Sequence, residues 1–101
     1  MMALDLTTPA EMAQSVAQRA RSKRLSLNIS QQGLSDRSGV SYSSIRKFER
    51  TGQISFQSLL KLALVLDALD EFHQLFPETS LEKAKSLDEL MTAAPRKRGR
   101  K

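Results

Sequence analysis

Between Ser41 and Ser55 the sequence concentrates short polar and cationic side chains that form hydrogen bonds with nucleic acids. Lysine and arginine donate to the O6 and N7 atoms of guanine, and serine pairs with several bases. A tyrosine ring can contact a thymine methyl group, or its hydroxyl can bind a phosphate. We therefore predict that this segment contacts DNA. The expected contact residues are Ser41, Tyr42, Ser43, Arg46, Lys47, Arg50, Gln53 and Ser55.

These side chains need a scaffold that presents them together, and the window from Gln31 to Arg50 predicts two short helices joined by a turn. Ser35 is small enough for a close helix crossing, and Gly39 can take the positive φ that the turn requires. The second helix then buries one face at helical spacing. The residues of that face are Val40, Ile45 and Phe48. The pattern indicates a helix-turn-helix whose polar face can enter a DNA major groove.

The charge distribution favours a polyanionic partner for the same part of the chain. The net charge is +5, and five positive charges belong to the last six residues, so residues 1–95 are neutral overall. Within them, residues 19–61 hold nine cations against two acids, whereas residues 62–94 hold two cations against seven acids. Such a polarised field steers a polyanion to one face. The alternative is a solvated surface on which charges cluster by chance.

The composition also argues against several classes of function. There is no cysteine and one histidine, His73, so we expect neither a disulfide nor a metal site. The sequence offers no nucleophile with a base, no phosphate-binding loop and no paired carboxylates, so we expect no enzyme and no cofactor. It has no basic leader and no apolar run of ~18 residues, which predicts no secretory signal and no membrane span. We expect a soluble, cytoplasmic protein.

Outside the window the pattern predicts an all-α fold. Thr8 and Glu11 can form a capping box, so helix 1 is expected from about Pro9 to Lys23. Leu25–Ile29 alternate as in a strand, but a lone strand has no partner, so we predict a connector whose leucine or isoleucine enters the core. The expected helix caps are Ser30, Ser41 and Ser55.

Towards the C-terminus the helical pattern continues. Gly52 can end helix 3, and helix 4, from Ser55 to about Ala68, is apolar around most of its circumference and should be central. Asp70–Phe76 predicts a short fifth helix that Pro77 stops. Ser80–Met91 predicts a short extra helix.

The domain boundaries follow from these elements. We expect an N-terminal extension over residues 1–8, a helix-turn-helix domain over 9–77, an accessory, partner or dimer helix over 78–92 and a disordered basic tail over 93–101. An apolar stripe near the end of the domain belongs either to the monomer core or to a dimer seam. The stripe residues are Phe72, Leu75 and Phe76.

Residues 30–68 resemble the phage repressor and Cro type of helix-turn-helix, the XRE family. The matching residues are Ser30 to Ser35, Ser38 to Ser41, Ile45, Phe48 to Arg50 and Leu59 to Ala63. The family usually has alanine at the position of Ser35 and a helix-favouring residue at that of Gly33. The resemblance implies a five-helix, repressor-like domain that binds a palindromic DNA operator as a homodimer.

The resemblance also implies roles for individual residues. At the position of Gln31 such proteins place a glutamine whose amide reaches a phosphate, and Arg46 lies beside the base-reading positions. The residues that match base-reading positions are Tyr42, Ser43 and Lys47. Those expected to contact the DNA backbone are Arg50, Gln53 and Ser55.

Other interpretations of these residues stay open. Gln31 can be an ordinary exposed glutamine, and Arg46 and Lys47 can lie on a solvated face where they pair with Glu49 or Glu11. Glu49 is expected to support an arginine across the core rather than to approach DNA. The two candidates for that arginine are Arg19 and Arg24.

A narrower resemblance is to HipB-like antitoxins, which are encoded beside HipA-type kinases. It is carried by the acidic-apolar segment Asp70–Pro77 and the basic end of the chain. It implies a dimeric autorepressor of its own operon with a HipA-like kinase toxin as partner. The alternative is a protein-binding antitoxin or adaptor module for which DNA binding is secondary.

The basic tail has three possible functions. It can bind phosphates without sequence preference, enter a minor groove or dock on a protein partner. The cationic residues concerned are Arg96, Lys97, Arg98, Arg100 and Lys101.

Overall fold

A computed structural model of the 101-residue chain describes residues 7–92, all of whose regular elements are helical. The predicted all-α class and helix-turn-helix are confirmed. The elements are α1 (Pro9–Ser26), α2 (Gln31–Ser38), α3 (Tyr42–Thr51), α4 (Phe56–Val65), a 3-10 helix (Leu69–Gln74) and α5 (Ser80–Thr92). The predicted basic tail lies outside the described residues. None of the described helices is long and apolar enough to cross a membrane.

Hydroxyl side chains start the first four helices. Thr8 and Glu11 form the predicted capping box, with Glu11 N donating to Thr8 Oγ1 at 3.1 Å and Thr8 N to Glu11 Oε1 at 3.0 Å. Ser30, Ser41 and Ser55 each accept a backbone N–H from the residue three positions later, at 2.9–3.1 Å. These bonds satisfy N–H groups that a helix start leaves without partners. The predicted caps are confirmed.

Glycines end α2 and α3. Gly39 and Gly52 take the left-handed conformation at φ 81° and 84°, and each donates its N–H to the carbonyl four residues earlier. Only glycine takes this conformation without a steric cost from Cβ. Gly52 has a second constraint, because a Cβ there would lie 2.9 Å from the backbone of Ala13 and Gln14 in α1. The end of α3 therefore packs directly against the α1 backbone.

The core lies where α1, α2, α3 and α4 meet. Its largest fully buried side chains are Leu34, Ile45, Phe48 and Leu62, and Ala17, Val40 and Leu66 complete the contact between helices. The predicted buried face of helix 3 is confirmed. The predicted connector is confirmed for residues 27–29 only, because α1 runs three residues further than expected, to Ser26. Ile29 enters the core, whereas Leu25 and Leu27 stay 48% and 43% exposed.

Helix α4 is less central than its composition predicts. It buries Leu62 and Ala63, but Phe56 and Leu64 are 59% and 66% exposed. Its larger packing contacts are with α2 and the 3-10 helix. A domain of this size has too few elements to cover an apolar helix on all sides.

The segment after α4 also differs from the expectation. The short fifth helix is a 3-10 helix over Leu69–Gln74, ending before Leu75 takes an extended conformation. In the predicted stripe, Phe72 is half-buried and packs edge-on against Phe56 with ring centroids 6.0 Å apart. Leu75 and Phe76 are 47% and 94% exposed. The stripe is thus divided between the edge of the core and the surface.

Candidate nucleic-acid interface

Helix α3 has one buried and one polar, exposed face. Ile45 and Phe48 point into the core and are 0% and 2% exposed. Five predicted contact residues lie on the exposed remainder of the helix, with Tyr42 at 41% exposure. They are Tyr42, Ser43, Arg46, Lys47 and Arg50. One rigid element therefore presents three cations, a hydroxyl and a phenol on its outer side.

The turn between α2 and α3 is fixed by hydrogen bonds. Ser35 Oγ donates to the carbonyl of Val40 at 2.7 Å, and Val40 N donates to Ser38 Oγ at 3.1 Å. Gly39 N donates to the carbonyl of Ser35 at 2.9 Å. Serine at position 35 therefore does more than allow a close crossing, because its hydroxyl ties α2 to the start of α3. These bonds hold α3 at a set angle to α2.

Arg46 is oriented by an aromatic neighbour on its own helix. Its guanidinium carbon lies 5.7 Å from the ring centroid of Tyr42, one helical turn earlier. This is a cation–π contact, which restricts the arginine rotamer at little cost in free energy. This contact could have been predicted from the sequence, because residues four positions apart on a helix are neighbours.

Glu49 is the centre of a largely buried polar network behind the exposed face. Arg24 in α1 binds it through two bonds, Nε to Oε2 at 2.7 Å and Nη2 to Oε1 at 2.9 Å. The remaining Arg24 nitrogen, Nη1, donates to the carbonyl of Ile29 at 2.9 Å. The Glu49 and Arg24 side chains are only 5% and 7% exposed. Of the two predicted arginines, the structure thus selects Arg24, and the bidentate pair ties α1 to α3.

Gln31 joins the same network instead of pointing away from the domain. Its Nε2 donates to Glu49 Oε1 at 2.9 Å, and its side chain is half-buried. In this structure the amide donor predicted for a phosphate is therefore bound to a carboxylate. Gln31 remains the first residue of α2, where helix N–H groups and the dipole favour an anion.

The cations of α3 are not paired with the acids that the alternative interpretation named. Glu49 pairs with Arg24 and, at 3.9 Å, with Arg21, so both of its ion pairs reach α1. Glu11 caps the start of α1. Arg46, Lys47 and Arg50 are therefore not neutralised by those carboxylates.

Two of the predicted contact serines also have structural roles. The Ser41 hydroxyl accepts the N–H of Ser44 at 3.1 Å and lies 2.8 Å from the Ser44 hydroxyl. Ser55 accepts the N–H of Ser58 at 3.1 Å. Both side chains are exposed, so a further hydrogen bond to a phosphate is sterically possible.

Sequence reasoning missed two residues that shape the edges of this surface. Ser44 shares the hydroxyl cluster at the start of α3 and is exposed. Thr51 donates from Oγ1 to the carbonyl of Lys47 at 2.7 Å and accepts the N–H of Gln53 at 3.1 Å. It therefore fixes the loop that carries Gln53. In the sequence, this role of Thr51 is indicated by its position directly before a helix-ending glycine.

The predicted tail contacts, Arg96 to Lys101, lie outside the described residues. Within the described range, no group of three or more histidine, cysteine or acidic side chains is placed to hold a metal ion.

The comparisons with known proteins address the same segment. A helix-turn-helix family, HTH_3, matches residues 21–72, which is half of the chain and includes α2, the turn, α3 and α4. No curated protein matches the chain. The family match, the hydrogen-bonded turn and the polar outer face of α3 all concern the same residues. The chain belongs to the HTH_3 family of XRE-type helix-turn-helix domains.

Proposed function

We propose that the protein is a sequence-specific transcriptional regulator that binds a palindromic DNA operator as a homodimer. The observation that carries this proposal is the exposed face of α3, whose cations are not paired with Glu49 or Glu11, because these acids bind groups of α1 and its cap. A helix of this kind is about as wide as a major groove and can present its side chains to base edges. Half-sites would lie ~34 Å apart, one turn of the DNA helix.

We expect the DNA contacts to fall into two groups. Tyr42, Ser43, Arg46 and Lys47 occupy the first two turns of α3, the part of a recognition helix that contacts bases. Arg50, Gln53 and Ser55 lie further along, at the end of α3 and the loop into α4, and would bind phosphates. Ser41 and Gln31 would add phosphate contacts at the two helix starts, with the Gln31 amide held by Glu49 or released to the DNA.

Substitutions on α3 test the proposal. The operator would first be selected from random double-stranded DNA with the full-length protein. Arg46→Ala or Lys47→Ala is expected to cost ~1–3 kcal/mol of binding free energy and to relax sequence preference at one position of each half-site. Gln31→Ala is expected to weaken all DNA sequences alike. Fluorescence anisotropy at fixed salt would measure each dissociation constant, because cation contacts make affinity salt-dependent.

Lys85→Ala is the control for this experiment. It also removes one exposed lysine, but from α5, outside the helix-turn-helix. It should leave both affinity and sequence preference nearly unchanged. Operator binding by the Arg46 and Lys47 variants at the level of this control would contradict the assignment of α3 as the reading helix.

We further infer that the regulator represses its own operon as the antitoxin of a HipA-kinase-type system. A second candidate function is a protein-binding antitoxin or adaptor module whose DNA binding is secondary. The observation that favours a protein-binding role is α5, on which Leu81, Leu87 and Met91 are 59–80% exposed. DNA recognition by α3 does not need this helix.

Co-expression with the product of the adjacent reading frame separates these functions. If the protein is an antitoxin, the neighbour should co-purify with it, and deletion of residues 78–101 should abolish the complex. If the neighbour is kinase-like, its activity should also fall in the complex. A homodimer that binds the operator but never retains the neighbour would contradict both antitoxin proposals and leave the regulator.

A further inference from the structure

Arg21 of α1 and Gln31 of α2 meet at one oxygen atom of Glu49. The Gln31 amide nitrogen, Nε2, donates to Glu49 Oε1 at 2.9 Å, and Arg21 Nε lies 3.9 Å from the same oxygen. A cation and an amide donor from two different helices are therefore held side by side.

Both side chains have donors left for a ligand. The amide nitrogen of Gln31 carries two hydrogens, and the bond to Glu49 uses one of them. The side chain of Arg21 is 57% exposed, and its guanidinium carries five N–H donors. In the described part of the chain its only ion pair is the one with Glu49, which at 3.9 Å is too long for a hydrogen bond. A ligand can therefore bind both side chains without displacing Glu49.

The surroundings of these donors are cationic. Both side chains line an open depression together with Arg24, and none of the described residues that line it is an acid. Glu49 is bound by Arg24 through two bonds, so two arginines face one carboxylate and leave a positive charge in excess. The acid of α2, Asp36, lies about 140° around the helix from Gln31 and accepts a hydrogen bond from Gln32. An anion in the depression is therefore attracted.

The pair lies at the edge of the exposed face of α3. Tyr42, Arg46 and Glu49 are spaced at i, i+4 and i+7, so they follow one another along one side of the helix. Tyr42 and Arg46 are exposed, whereas Glu49, ~4.5 Å further along the axis than Arg46, is covered by contacts from α1 and α2. Arg21 and Gln31 therefore lie beside the residues proposed to read bases. The DNA backbone runs along both edges of a groove, where such flanking residues meet phosphates.

We propose that Arg21 and Gln31 together bind one phosphate of the DNA backbone. Arg21 supplies the positive charge, and Gln31 supplies the second N–H of its amide while the first stays bound to Glu49. Gln31 then needs no release from the network in order to contact DNA. A phosphate contact carries no sequence information but fixes the register of α3 over the bases. The inference rests on the proposed DNA-binding function and adds a residue of α1 to it.

The salt dependence of DNA binding tests the Arg21 contact without knowledge of the operator. The probe is a short, fluorescently labelled DNA duplex of random sequence, and anisotropy gives the dissociation constant of the full-length protein over a range of salt concentrations. Arg21→Ala should weaken binding roughly fivefold at ~0.15 M salt and reduce the slope of log affinity against log salt by ~0.9 per bound chain. Gln31→Ala should weaken binding and leave the slope unchanged, because an amide carries no charge.

Arg19→Ala is the matched control. It removes the same charge from an exposed position of the same helix, about 200° around α1 from Arg21. It should change the dissociation constant less than about twofold, through the long-range field alone. A slope change as large as that of Arg21→Ala would show that only the net charge matters and would overturn the contact. Both variants should fold, because exposed ion pairs add little stability.

Neutral phosphate analogues test whether the two residues share one phosphate. In the operator selected with the full-length protein, a methylphosphonate would replace one phosphate at a time, which removes its charge. One position in each half-site should weaken binding of the unaltered protein roughly fivefold. The same position should have a much smaller effect on Arg21→Ala and on Gln31→Ala, which have already lost part of the contact. If the two variants become insensitive at different positions, the residues bind separate phosphates and the proposal is wrong.

The outcomes distinguish this contact from the proposed function. A protein that selects no operator, but shows the Arg21 effect on random DNA, would retain the phosphate contact and overturn the sequence-specific regulator. A protein that selects an operator, but responds equally to Arg19→Ala and Arg21→Ala, would retain the regulator and overturn the contact.

Discussion

Replacing Glu49 by alanine is expected to lower the free energy of unfolding by about 3–5 kcal/mol, the usual cost of leaving one member of a buried ion pair without its partner. The Arg24 side chain, only 7% exposed beside Glu49, would lose two of its three hydrogen bonds. Gln31 would lose its acceptor in the same step. Since small domains are stable by only ~5–15 kcal/mol, much of the stability depends on this carboxylate.

The consequence for DNA binding follows from where the pair lies. Glu49 is in α3 and Arg24 in α1, so their two bonds set the position of the proposed reading helix on the domain. We expect Glu49→Ala to weaken operator binding even at temperatures where the variant is folded, although Glu49 itself is turned away from the exposed face of α3.

Urea unfolding followed by circular dichroism would measure the effect on stability. Arg21→Ala is the matched control, because Arg21 approaches the same carboxylate only at 3.9 Å and its side chain is 57% exposed. Such a pair contributes ~0–1 kcal/mol. The double variant Arg24→Met, Glu49→Leu should be more stable than Glu49→Ala, since it leaves no buried charge. Equal losses in Glu49→Ala and Arg21→Ala would contradict the assigned role of the pair.

The ion pair between Arg24 and Glu49 was only partly predictable from the sequence. The pattern predicted that Glu49 supports an arginine across the core, but it did not choose between Arg19 and Arg24. The choice depended on the length of α1, which runs to Ser26 and brings Arg24 into its last turn. Arg19 lies about one and a half turns earlier and instead approaches the carbonyl of Ser15. Helix ends are set by tertiary contacts as well as by capping residues.

Local signals predicted the scaffold of the candidate site well. The serine caps and the two helix-ending glycines act within four residues of themselves, so their function is visible in the sequence. The bond from Gln31 to Glu49 spans 18 positions and exists only because α2 and α3 pack together. A resemblance to a family assigned Gln31 to a phosphate and could not show its partner in this chain.

The exposure of the apolar side chains of α4 and α5 was not predictable from the sequence pattern. An apolar pattern predicts that a face is covered, but not by which chain. Phe56 and Leu64 contributed to the prediction that α4 is the central helix, but both side chains are more than half exposed. Burial within one copy is limited by the number of helices available, so an apolar pattern in a short chain does not by itself predict burial.

The second large effect is expected at the end of α3, where Gly52→Ala should lower the free energy of unfolding by about 2–4 kcal/mol. Alanine at φ 84° bears the steric cost of the left-handed conformation, ~1–2 kcal/mol. Its Cβ would also lie 2.9 Å from backbone atoms of Ala13 and Gln14, which cannot rotate aside as a side chain does. Moving them adds a cost of the size seen for overpacked cores, ~1–3 kcal/mol.

Gly39→Ala separates the two causes, because Gly39 has nearly the same φ, 81°, but a Cβ at this position would meet no atom of another element within 4 Å. It should therefore lower the free energy of unfolding by only about 1 kcal/mol, because the steric cost of the left-handed conformation is partly offset by the entropy that alanine removes from the unfolded chain. The shift of the urea unfolding midpoint would give both changes in free energy, provided that the dependence of the free energy on urea concentration has the same slope in both variants. If the two variants lose the same stability, the α1 backbone yields freely at Ala13, and the contact between α1 and α3 does not fix α3 as tightly as the 2.9 Å approach implies.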